Sequence, residues 1–250
     1  MRILLVTQYF WPENFRINEL ATQLRDRGHE ITVFTGLPNY PSGKIFPGYG
    51  FCRRLREDYR GIPVIRFPHL PRGDRGFLGM AANFVSFALL GSLLAPFLLR
   101  GRPFDVIFVY EPSPITVGFP AVVMRALRTI PLVFWVQDLW PESLTSAGNI
   151  RSPWILKPVE RMVRFLYRRF DRILAQSRGF FPWIMKWGVP ASKLEFYPLS
   201  AEKLFHPPEV SLDAPQRKVM PRGFTVLFAG NIGESQDFPT ILATAELLKD

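Results

Sequence analysis

The first 35 residues alternate between short apolar runs and a stretch with helical spacing, and this alternation constrains the fold most strongly. The segments Arg2–Thr7 (RILLVT) and Glu30–Thr35 (EITVFT) are typical of buried strands. Between them, apolar residues recur at helical spacing from 17 to 24, with Asn14 predicted to cap the helix and Gly28 to end it. Strand, helix and strand form a βαβ unit, whose strands are parallel and whose crossover is right-handed.

The same alternation continues to about position 200, so that about seven strands are predicted in all. The further strands are predicted at Pro63–Phe67, Asp105–Tyr110, Leu132–Val136, Arg172–Gln176 and Leu194–Tyr197. Helices are predicted from about Ile115 to Arg128, and at Pro153–Phe170 and Arg178–Trp187. Residues 1–205 are therefore predicted to form an α/β domain, with a Rossmann-like doubly wound parallel sheet and helices on both faces.

A change of composition marks the end of this domain. Residues 206–223 contain four prolines, mixed charges and no periodicity, which predicts a linker. After it, Phe224–Ala229 is predicted as a strand and Pro239–Asp250 as a helix. One strand and one helix bury too little surface to fold alone, so residues 224–250 are expected to begin a second, truncated Rossmann-like domain.

The charge is strongly basic, with a formal net charge of +10 from 31 basic and 21 acidic residues. Eight basic residues and two acidic residues lie between Arg151 and Arg178, and a second basic cluster runs from Arg53 to Arg75. Such an excess favours phosphate-bearing substrates, an anionic membrane or nucleic acid as partners. No helix-turn-helix, ribonucleoprotein or zinc-finger motif is present, but a basic nucleic-acid-binding module stays open as an alternative at this point.

Cysteine and histidine usage bear on compartment and metal content. A single cysteine, Cys52, excludes an internal disulfide and suits a reducing compartment. The three histidines are scattered without the spacing of a zinc site, so we expect neither a metal nor a cofactor. The apolar run at the N-terminus is too short for a signal peptide, which predicts a cytoplasmic location.

The segment Phe77–Leu99 contains 23 residues without a charge and is long enough to cross a bilayer. Asn83, Ser86 and Pro96 lower its hydrophobicity, and predicted strands of one sheet stand on either side of it. We therefore expect a helix packed on the sheet with one face in the membrane interface. An entirely buried helix and a transmembrane span are the alternatives.

Candidate site residues follow the predicted strands, because ligands of parallel sheets bind beyond the carboxyl ends of the strands. Asp138 comes directly after a strand and is followed by Trp140 and Glu142, while Glu111 ends another strand. Carboxylates accept hydrogen bonds from sugar hydroxyls and aromatic rings stack on sugar faces, so this pattern favours a sugar site. Alternatively, Asp138 and Ser143 cap a helix, Trp140 belongs to the core and Glu111 is a turn residue. The first loop lacks GxGxxG, which disfavours a nicotinamide or flavin enzyme.

Five motifs in this order resemble the bacterial glycosyltransferase family 4, and in particular its O-antigen fucosaminyltransferase subgroup. The motifs are QYFWPENFRINELA, TGLPNYPSGKIFPGYG, FVYEPSPITVGFP, WVQDLWPESLTSAG and FAGNIGESQDFPTILATAELLKD. The resemblance implies a GT-B enzyme with two Rossmann-like domains facing a cleft, no metal, and transfer with retention of anomeric configuration. It further implies that the N-terminal domain binds the acceptor and the C-terminal domain binds the nucleotide sugar.

The activity that the resemblance implies is sugar transfer in the synthesis of O-antigen or another surface polysaccharide. The donor would be a UDP-sugar, with N-acetyl-L-fucosamine as a candidate sugar, and the acceptor a lipid-diphosphate-linked sugar. The enzyme would associate peripherally with the cytoplasmic face of the inner membrane. A transferase of the same fold with another nucleotide sugar, and a scaffold or pseudoenzyme, are the alternatives; the 250-residue chain is expected to be inactive alone.

The site residues are assigned on the motifs and on the loop positions. Asp138 and Glu111 are the candidate catalytic residues, which would orient the acceptor hydroxyl. The candidate acceptor-binding residues are Asn39, Tyr40, Gln137, Trp140 and Glu142, and the candidate donor-binding residues are Glu13, Asn14, Gly230, Asn231 and Gly233.

The chain departs from the wider family at several of these positions. A histidine often found before the aspartate is Gln137 here, which excludes a base at that position. Glu13-Asn14-Phe15 replaces the glycine pair of the first loop, and Asn231 and Gln236 stand where the family has the Arg and Lys that bind the donor pyrophosphate.

Overall fold

A computed structural model of the chain describes residues 1–74, 76–146, 150–200, 213–220, 223–230, 232–233 and 236–248. Its eight strands form one sheet in the order β3-β4-β2-β1-β5-β6-β7-β8. The strands are β1 (Arg2–Thr7), β2 (Glu30–Thr35), β3 (Arg56–Tyr59), β4 (Ile62–Arg66), β5 (Val106–Glu111), β6 (Leu132–Val136), β7 (Arg172–Ala175) and β8 (Leu194–Phe196).

Six of the helices of the described residues lie between strands, and the last two follow β8. The helices are α1 (Arg16–Asp26), α2 (Gly76–Leu98), α3 (Phe119–Arg128), α4 (Glu142–Ser146), α5 (Pro153–Arg169), α6 (Phe181–Lys186), α7 (Pro215–Val219) and α8 (Phe238–Leu247). Short 3-10 turns at Ile115–Gly118 and Arg178–Phe180 begin two stretches that were predicted as single helices.

The predicted parallel sheet is confirmed, because every predicted strand before residue 200 forms and pairs in parallel. Counted without β3, the strands follow the Rossmann order, with the chain running outward from β1 first on one side and then on the other. The order therefore reverses between β1 and β5. The crevice beyond the carboxyl ends of these two strands is the ligand position that this topology favours.

The edge strand β3 was not predicted. It pairs antiparallel with β4 in a hairpin whose turn is Arg60-Gly61. Three of its four residues are charged (Arg56, Glu57 and Asp58), so the sequence lacks the alternation that indicates a half-buried strand. The hairpin forms because β4 supplies the partner for its backbone hydrogen bonds.

Successive residues of β1 point into different cores, as expected of a sheet covered on both faces. Leu4 and Val6 join the larger core, which lies under α2, α3, α5 and α6. Ile3 and Leu5 join the smaller core, which packs against α1.

Helix α2 corresponds to the uncharged segment that was predicted to pack on the sheet. It connects β4 to β5 and is a 23-residue helix apolar enough to cross a membrane by length and composition. In the structure it packs against α3, and a Cβ atom added to Gly91 would lie 2.7 Å from the Phe67 ring and 2.9 Å from Pro120. Its Asn83 is fully buried, where its side chain accepts a hydrogen bond from Gln8 at 2.6 Å and donates one to the Leu70 carbonyl. The polar interruption of the apolar run thus anchors α2 to the first loop.

Two local predictions are wrong. Asn14 does not cap α1, since the helix begins at Arg16 and no side chain bonds its N-terminus. Residues 224–229 are not a strand; the apolar side chains there are exposed, and the described residues offer them no neighbouring strand. The linker at 206–223 stays a prediction: residues 215–219 within it form the short helix α7, and residues 206–212 and 221–222 lie outside the described residues.

A larger side chain at Gly91 tests the packing of α2. Gly91→Val should lower the free energy of unfolding by about 1–3 kcal/mol, because overpacking forces the Phe67 ring and Pro120 to move. The measurement is urea unfolding of the purified chain. The control is Ala82→Val, an exposed position on the same helix. Equal stabilities of the two variants would show that α2 does not pack closely on the domain in solution.

Candidate active site

The carboxylate of Glu13 joins the first and second loops at the carboxyl edge of the sheet. It is 2% exposed and accepts backbone N–H bonds from Asn39 at 2.8 Å, Tyr40 at 2.7 Å and Phe10 at 3.2 Å. Burial raises the pKa of Glu13 to about 7, although these N–H donors and the charge of Arg66 act in the opposite direction. Glu13 was predicted to bind the donor. In the structure both of its carboxyl oxygens accept these N–H groups, so Glu13 holds the two loops together, and its contact with the donor stays a prediction.

A buried arginine connects the same loops to the hairpin. The Arg66 side chain, 1% exposed as a residue, donates to the carbonyls of Gly36 at 3.0 Å and of Trp11, and forms a 2.5 Å ion pair with Glu57. A buried charge is tolerated when it is paired and hydrogen-bonded. Arg66 and Glu13 together therefore fix the backbone that surrounds the crevice.

Two predicted acceptor-binding residues lie in the second loop and differ in their exposure to solvent. Asn39 is fully buried, and its amide donates to the Leu37 carbonyl and accepts from the Arg72 N–H. Both ends of this amide are bonded within the protein, so Asn39 helps to shape the loop, and its contact with an acceptor stays a prediction. Tyr40 is 38% exposed, so its ring is accessible from the crevice.

Glu111 lies beneath the loop that carries Asp138. It is fully buried, and one carboxyl oxygen accepts the N–H groups of Gln137 and Asp138, each at 3.3 Å. Its other oxygen has no hydrogen-bond partner among the described residues. Burial, followed by the charge of Asp138, raises the pKa of Glu111 well above its ordinary value. Glu111 thus positions the loop that carries Asp138, and its predicted contact with the acceptor stays a prediction.

Asp138 is accessible, in contrast to Glu111. Burial of part of the residue raises its pKa, and a side-chain hydrogen bond from Ser113 opposes this shift. Ser113 has a backbone φ of 132°, a region that costs a non-glycine residue about 1–3 kcal/mol. Such strained residues cluster at ligand sites. Here the strained residue, Ser113, is hydrogen-bonded to the candidate catalytic carboxylate of Asp138.

Asp138 opens into a cavity of about 240 Å³, which we call the Asp138 cavity. Its other polar lining residues are Ser113, Ser143 and Arg72. The guanidinium carbon of Arg72 lies 5.4 Å from the Tyr40 ring centre and 5.7 Å from that of Phe84. No carboxylate of the described residues forms an ion pair with Arg72, so its charge is available to a ligand anion.

Arg72 was not predicted as a site residue, although a signal was present. It lies six residues after β4, and hence in a loop at the carboxyl edge of the parallel sheet. The surrounding basic cluster from Arg53 to Arg75 concealed which of its members faces the crevice.

The remaining predicted acceptor residues surround Asp138. Gln137 is 7% exposed, and both polar atoms of its side chain are buried without a partner among the described residues. Trp140 is also 7% exposed, lines the Asp138 cavity and packs edge-on against Phe84 at 6.4 Å. Glu142 begins α4 and forms a long ion pair with Lys186 at 3.9 Å. Trp140 therefore belongs both to the core and to the cavity wall.

The predicted donor-binding residues that the structure describes do not line this cavity. Asn14 is exposed in the first loop, and Gly230 and Gly233 are exposed in the C-terminal segment. Asn231 lies outside the described residues. Among the residues described, no group of three or more His, Cys, Asp or Glu side chains is arranged to hold a metal ion.

Comparison with known proteins agrees with this architecture. A family model for a glycosyl transferase 4-like domain matches residues 14–200. The "Putative colanic acid biosynthesis glycosyl transferase WcaI" of Escherichia coli (strain K12) is 25% identical over 264 residues, covering 100% of this chain. The chain spans 63% of the length of that relative. The solved structure "Trehalose-6-phosphate from E. coli bound with UDP-2-fluoro glucose" is similar with a TM-score of 0.54 at 12% identity, over 81% of this chain and 49% of the other.

The class of protein follows from the fold: a mostly parallel Rossmann-like sheet of the kind found in the GT-B glycosyltransferases. The family follows from the matched region, which includes every strand of the sheet except β1 and all residues that line the Asp138 cavity. The chain belongs to the glycosyl transferase 4-like domain family.

The titration of Glu13 should appear in the pH dependence of stability. The unfolded chain releases this proton near pH 4.5, whereas the folded chain holds it to about pH 7. The folded state therefore binds more protons in this window, and the stabilising contribution present below pH 4.5 is lost as the pH rises through 7. The expected loss is on the order of 3 kcal/mol, at about 1.4 kcal/mol per pKa unit.

Urea unfolding at several pH values checks this expectation. Glu13→Gln, which stays neutral, should give a flatter profile across the window, and Glu30→Gln on the exposed start of β2 should keep the native slope. Identical slopes for the native chain and Glu13→Gln would contradict the assignment.

Proposed function

We propose that the protein containing this chain is a GT-B glycosyltransferase that transfers a sugar from a UDP-sugar to a lipid-diphosphate-linked acceptor in surface-polysaccharide synthesis. This chain supplies the acceptor side, and transfer retains the anomeric configuration. N-acetyl-L-fucosamine in O-antigen synthesis is the first donor sugar to test. A transferase of the same fold with another nucleotide sugar is the alternative.

The observation that carries the proposal is the pairing of an accessible carboxylate with an available cation in one cavity. Asp138 and Arg72 both line the Asp138 cavity, which lies at the carboxyl edge of the sheet. A carboxylate accepts hydrogen bonds from sugar hydroxyls, and a guanidinium binds phosphate in a bidentate manner. An acceptor with a sugar joined to a diphosphate presents both groups.

The two neighbouring carboxyl groups have different environments, and this difference suggests their roles. Burial raises the pKa of Glu111 strongly, which favours its neutral form and leaves Asp138 as the charged member of the pair. A partly desolvated carboxylate is a stronger base than one in water. Asp138 is therefore suited to orient the acceptor hydroxyl and draw its proton as the bond to the donor sugar forms. Glu111 holds the loop that carries Asp138 by accepting the backbone N–H groups of Gln137 and Asp138.

Support for a nucleotide-sugar donor comes from the fold and from named relatives. The similar solved structure contains UDP-2-fluoro glucose, and the matched E. coli relative is named as a glycosyl transferase of colanic acid biosynthesis. That name differs from O-antigen synthesis, so the donor screen should include several UDP-sugars. Departure of UDP would depend on groups of the donor side, which stabilise the developing negative charge.

A peripheral position at the cytoplasmic face of the inner membrane is proposed from the surface. Leu89, Leu93 and Phe97 of α2 are 59%, 64% and 76% exposed, and Trp154 of α5 is 89% exposed. Exposed basic residues follow Trp154 along the same helix, at Lys157, Arg161, Arg164 and Arg168. Each basic residue near an anionic leaflet contributes about 1 kcal/mol, so an apolar face beside a basic helix suits interfacial binding.

Replacement of Asp138 tests the catalytic assignment. Asp138→Asn in the whole protein should lower turnover by about 10²–10⁴-fold, because the amide neither accepts a proton nor keeps the charge. Thermal melting should change little, since the side chain keeps its shape. The measurement is transfer of sugar from UDP-sugars to a lipid-diphosphate acceptor. Asp26→Asn, an exposed position at the end of α1, is the control. Near-native transfer by a folded Asp138→Asn protein would exclude Asp138 as the base.

Salt dependence tests the membrane proposal. The chain should sediment with vesicles containing anionic lipid and be released as salt rises to 1 M, where the screening length falls from about 8 Å to about 3 Å. Mild detergent should also release it. Sedimentation that resists salt, together with protease access to both sides of the vesicle, would indicate a spanning helix. If an excess of double-stranded DNA displaces the chain from the vesicles, the alternative of a nucleic-acid-binding module is favoured.

A further inference from the structure

A second cavity lies beside the Asp138 cavity, between helices α2 and α5. It has a volume of about 270 Å³. Ala81 and Val85 form its α2 side, Ile155 and Val159 its α5 side, and Phe84 and Trp140 separate it from the sheet. We call this cavity the α2–α5 groove. Neither the family assignment nor the proposed catalytic role of Asp138 explains why it is present.

The groove and the Asp138 cavity are neighbours with common walls. Phe84 and Trp140 line both of them, as do Phe77, Met80 and Leu144. The groove therefore extends the candidate acceptor site away from its polar end. An acceptor that fills both cavities would have a polar end at Asp138 and an apolar end between the helices.

The lining of the groove selects an apolar occupant. Among the described residues no charged side chain lines it, and the hydroxyl of its one threonine, Thr116, already donates to the Phe84 carbonyl at 3.4 Å. A sugar or phosphate in this space would lose its hydrogen bonds to water without replacement. A hydrocarbon chain loses none and gains contact with apolar walls.

The positive charge of Arg72, beside a wall that the two cavities share, indicates which class of lipid fits them. The guanidinium of Arg72 lies over the face of Phe84, 5.7 Å from the ring centre, and Phe84 is a shared wall. No carboxylate of the described residues forms an ion pair with Arg72. The Asp138 cavity thus holds a hydrogen-bonding carboxylate and, against a wall that it shares with the apolar groove, a cation. A lipid-diphosphate-linked sugar has a group for each of these three features: a sugar, a diphosphate and a hydrocarbon tail.

The outer rims of the groove give the tail a route to a bilayer. Val85 on the α2 side is 52% exposed, and Ile155 on the α5 side is 40% exposed. Beside Ile155 stands Trp154, which lines a shallow surface cavity together with Lys157 and Arg161. Apolar and basic side chains together at the rim match the boundary between lipid tails and anionic headgroups.

The geometry points to the α2–α5 groove as the subsite for the hydrocarbon tail of the acceptor lipid, with Arg72 binding its diphosphate. This inference rests on the proposed function, since it extends the same acceptor site. The first segment of the tail lies between α2 and α5, and the rest continues past Val85 and Ile155 into the membrane. The enzyme thereby holds its acceptor at two points while the sugar stays in the Asp138 cavity.

Photolabelling of the 250-residue chain tests the subsite without requiring activity. The probe is farnesyl diphosphate with a photoreactive diazirine in its tail. Labels are expected on the α2 segment from 80 to 85 and the α5 segment from 155 to 162. Ala81→Trp fills the groove and should reduce labelling about tenfold, whereas Ala82→Trp, exposed on the same helix, should leave it unchanged. Labels confined to exposed α2 positions such as Leu89 and Leu93 would overturn the proposal.

The diphosphate contact is tested by Arg72→Met, which keeps an apolar stem of similar length. Labelling by farnesyl diphosphate should fall, while labelling by the neutral farnesol probe should stay as it is in the native chain. Equal labelling of the native chain by both probes would show that the groove takes any lipid tail, and would overturn its assignment to the acceptor.

Activity then separates this inference from the proposed function. In the whole protein, Ala81→Trp should impair transfer to a polyprenyl-linked acceptor and spare transfer to a short-tailed, water-soluble analogue with the same diphosphate and sugar. Equal loss with both acceptors would overturn the tail subsite but leave the transferase intact as a proposal. If the native whole protein transfers sugar to neither acceptor, the proposed function fails, and labelling alone decides what the groove binds.

Discussion

Parallel pairing of β1 with β2 on one side and β5 on the other is the constraint on which the rest of the structure depends. Parallel neighbouring strands are joined by crossover connections, and all of their carboxyl ends lie at the same edge of the sheet. The loops that follow these strands therefore meet at that edge. The Asp138 cavity lies at this edge. Residues far apart in the chain, such as Glu13 and Asp138, are gathered there by topology before any side chain makes a contact.

Loops crowded at one edge bury backbone groups that have no strand or helix partner, and a few charged side chains satisfy them. Glu13 accepts three N–H groups, Glu111 accepts two, and Arg66 donates to two carbonyls. An unsatisfied buried group costs about 1–3 kcal/mol, so these side chains stabilise the loops as much as they define the crevice. Their burial also explains why the pKa values of both carboxyl groups are raised.

The sequence predicts the parallel strands well because buried strands are continuous apolar runs, and burial on both faces makes those runs conspicuous. The hairpin strand β3 escapes the same reasoning since its stability comes from pairing with β4 and from the ion pair of Glu57 with Arg66. The position of Asp138 at the edge of the sheet is predictable, because the residue follows strand β6 closely. The hydrogen bonds of Glu13, Asn39 and Glu111 to backbone groups were not predictable, because a polar residue in a loop looks the same in sequence whether it faces a ligand or the backbone of another loop. Arg72 was missed because only the fold tells which of many neighbouring arginines lines the Asp138 cavity.

The two borders of the sheet have a further consequence. One border is β3, with charged residues at three of four positions, and the other is β8, with only three residues. Strands that are short or charged offer a poor template for strand addition by another molecule. Copies of this domain concentrated on a surface would therefore meet without joining their sheets, and crowding would not convert them into fibrous aggregates.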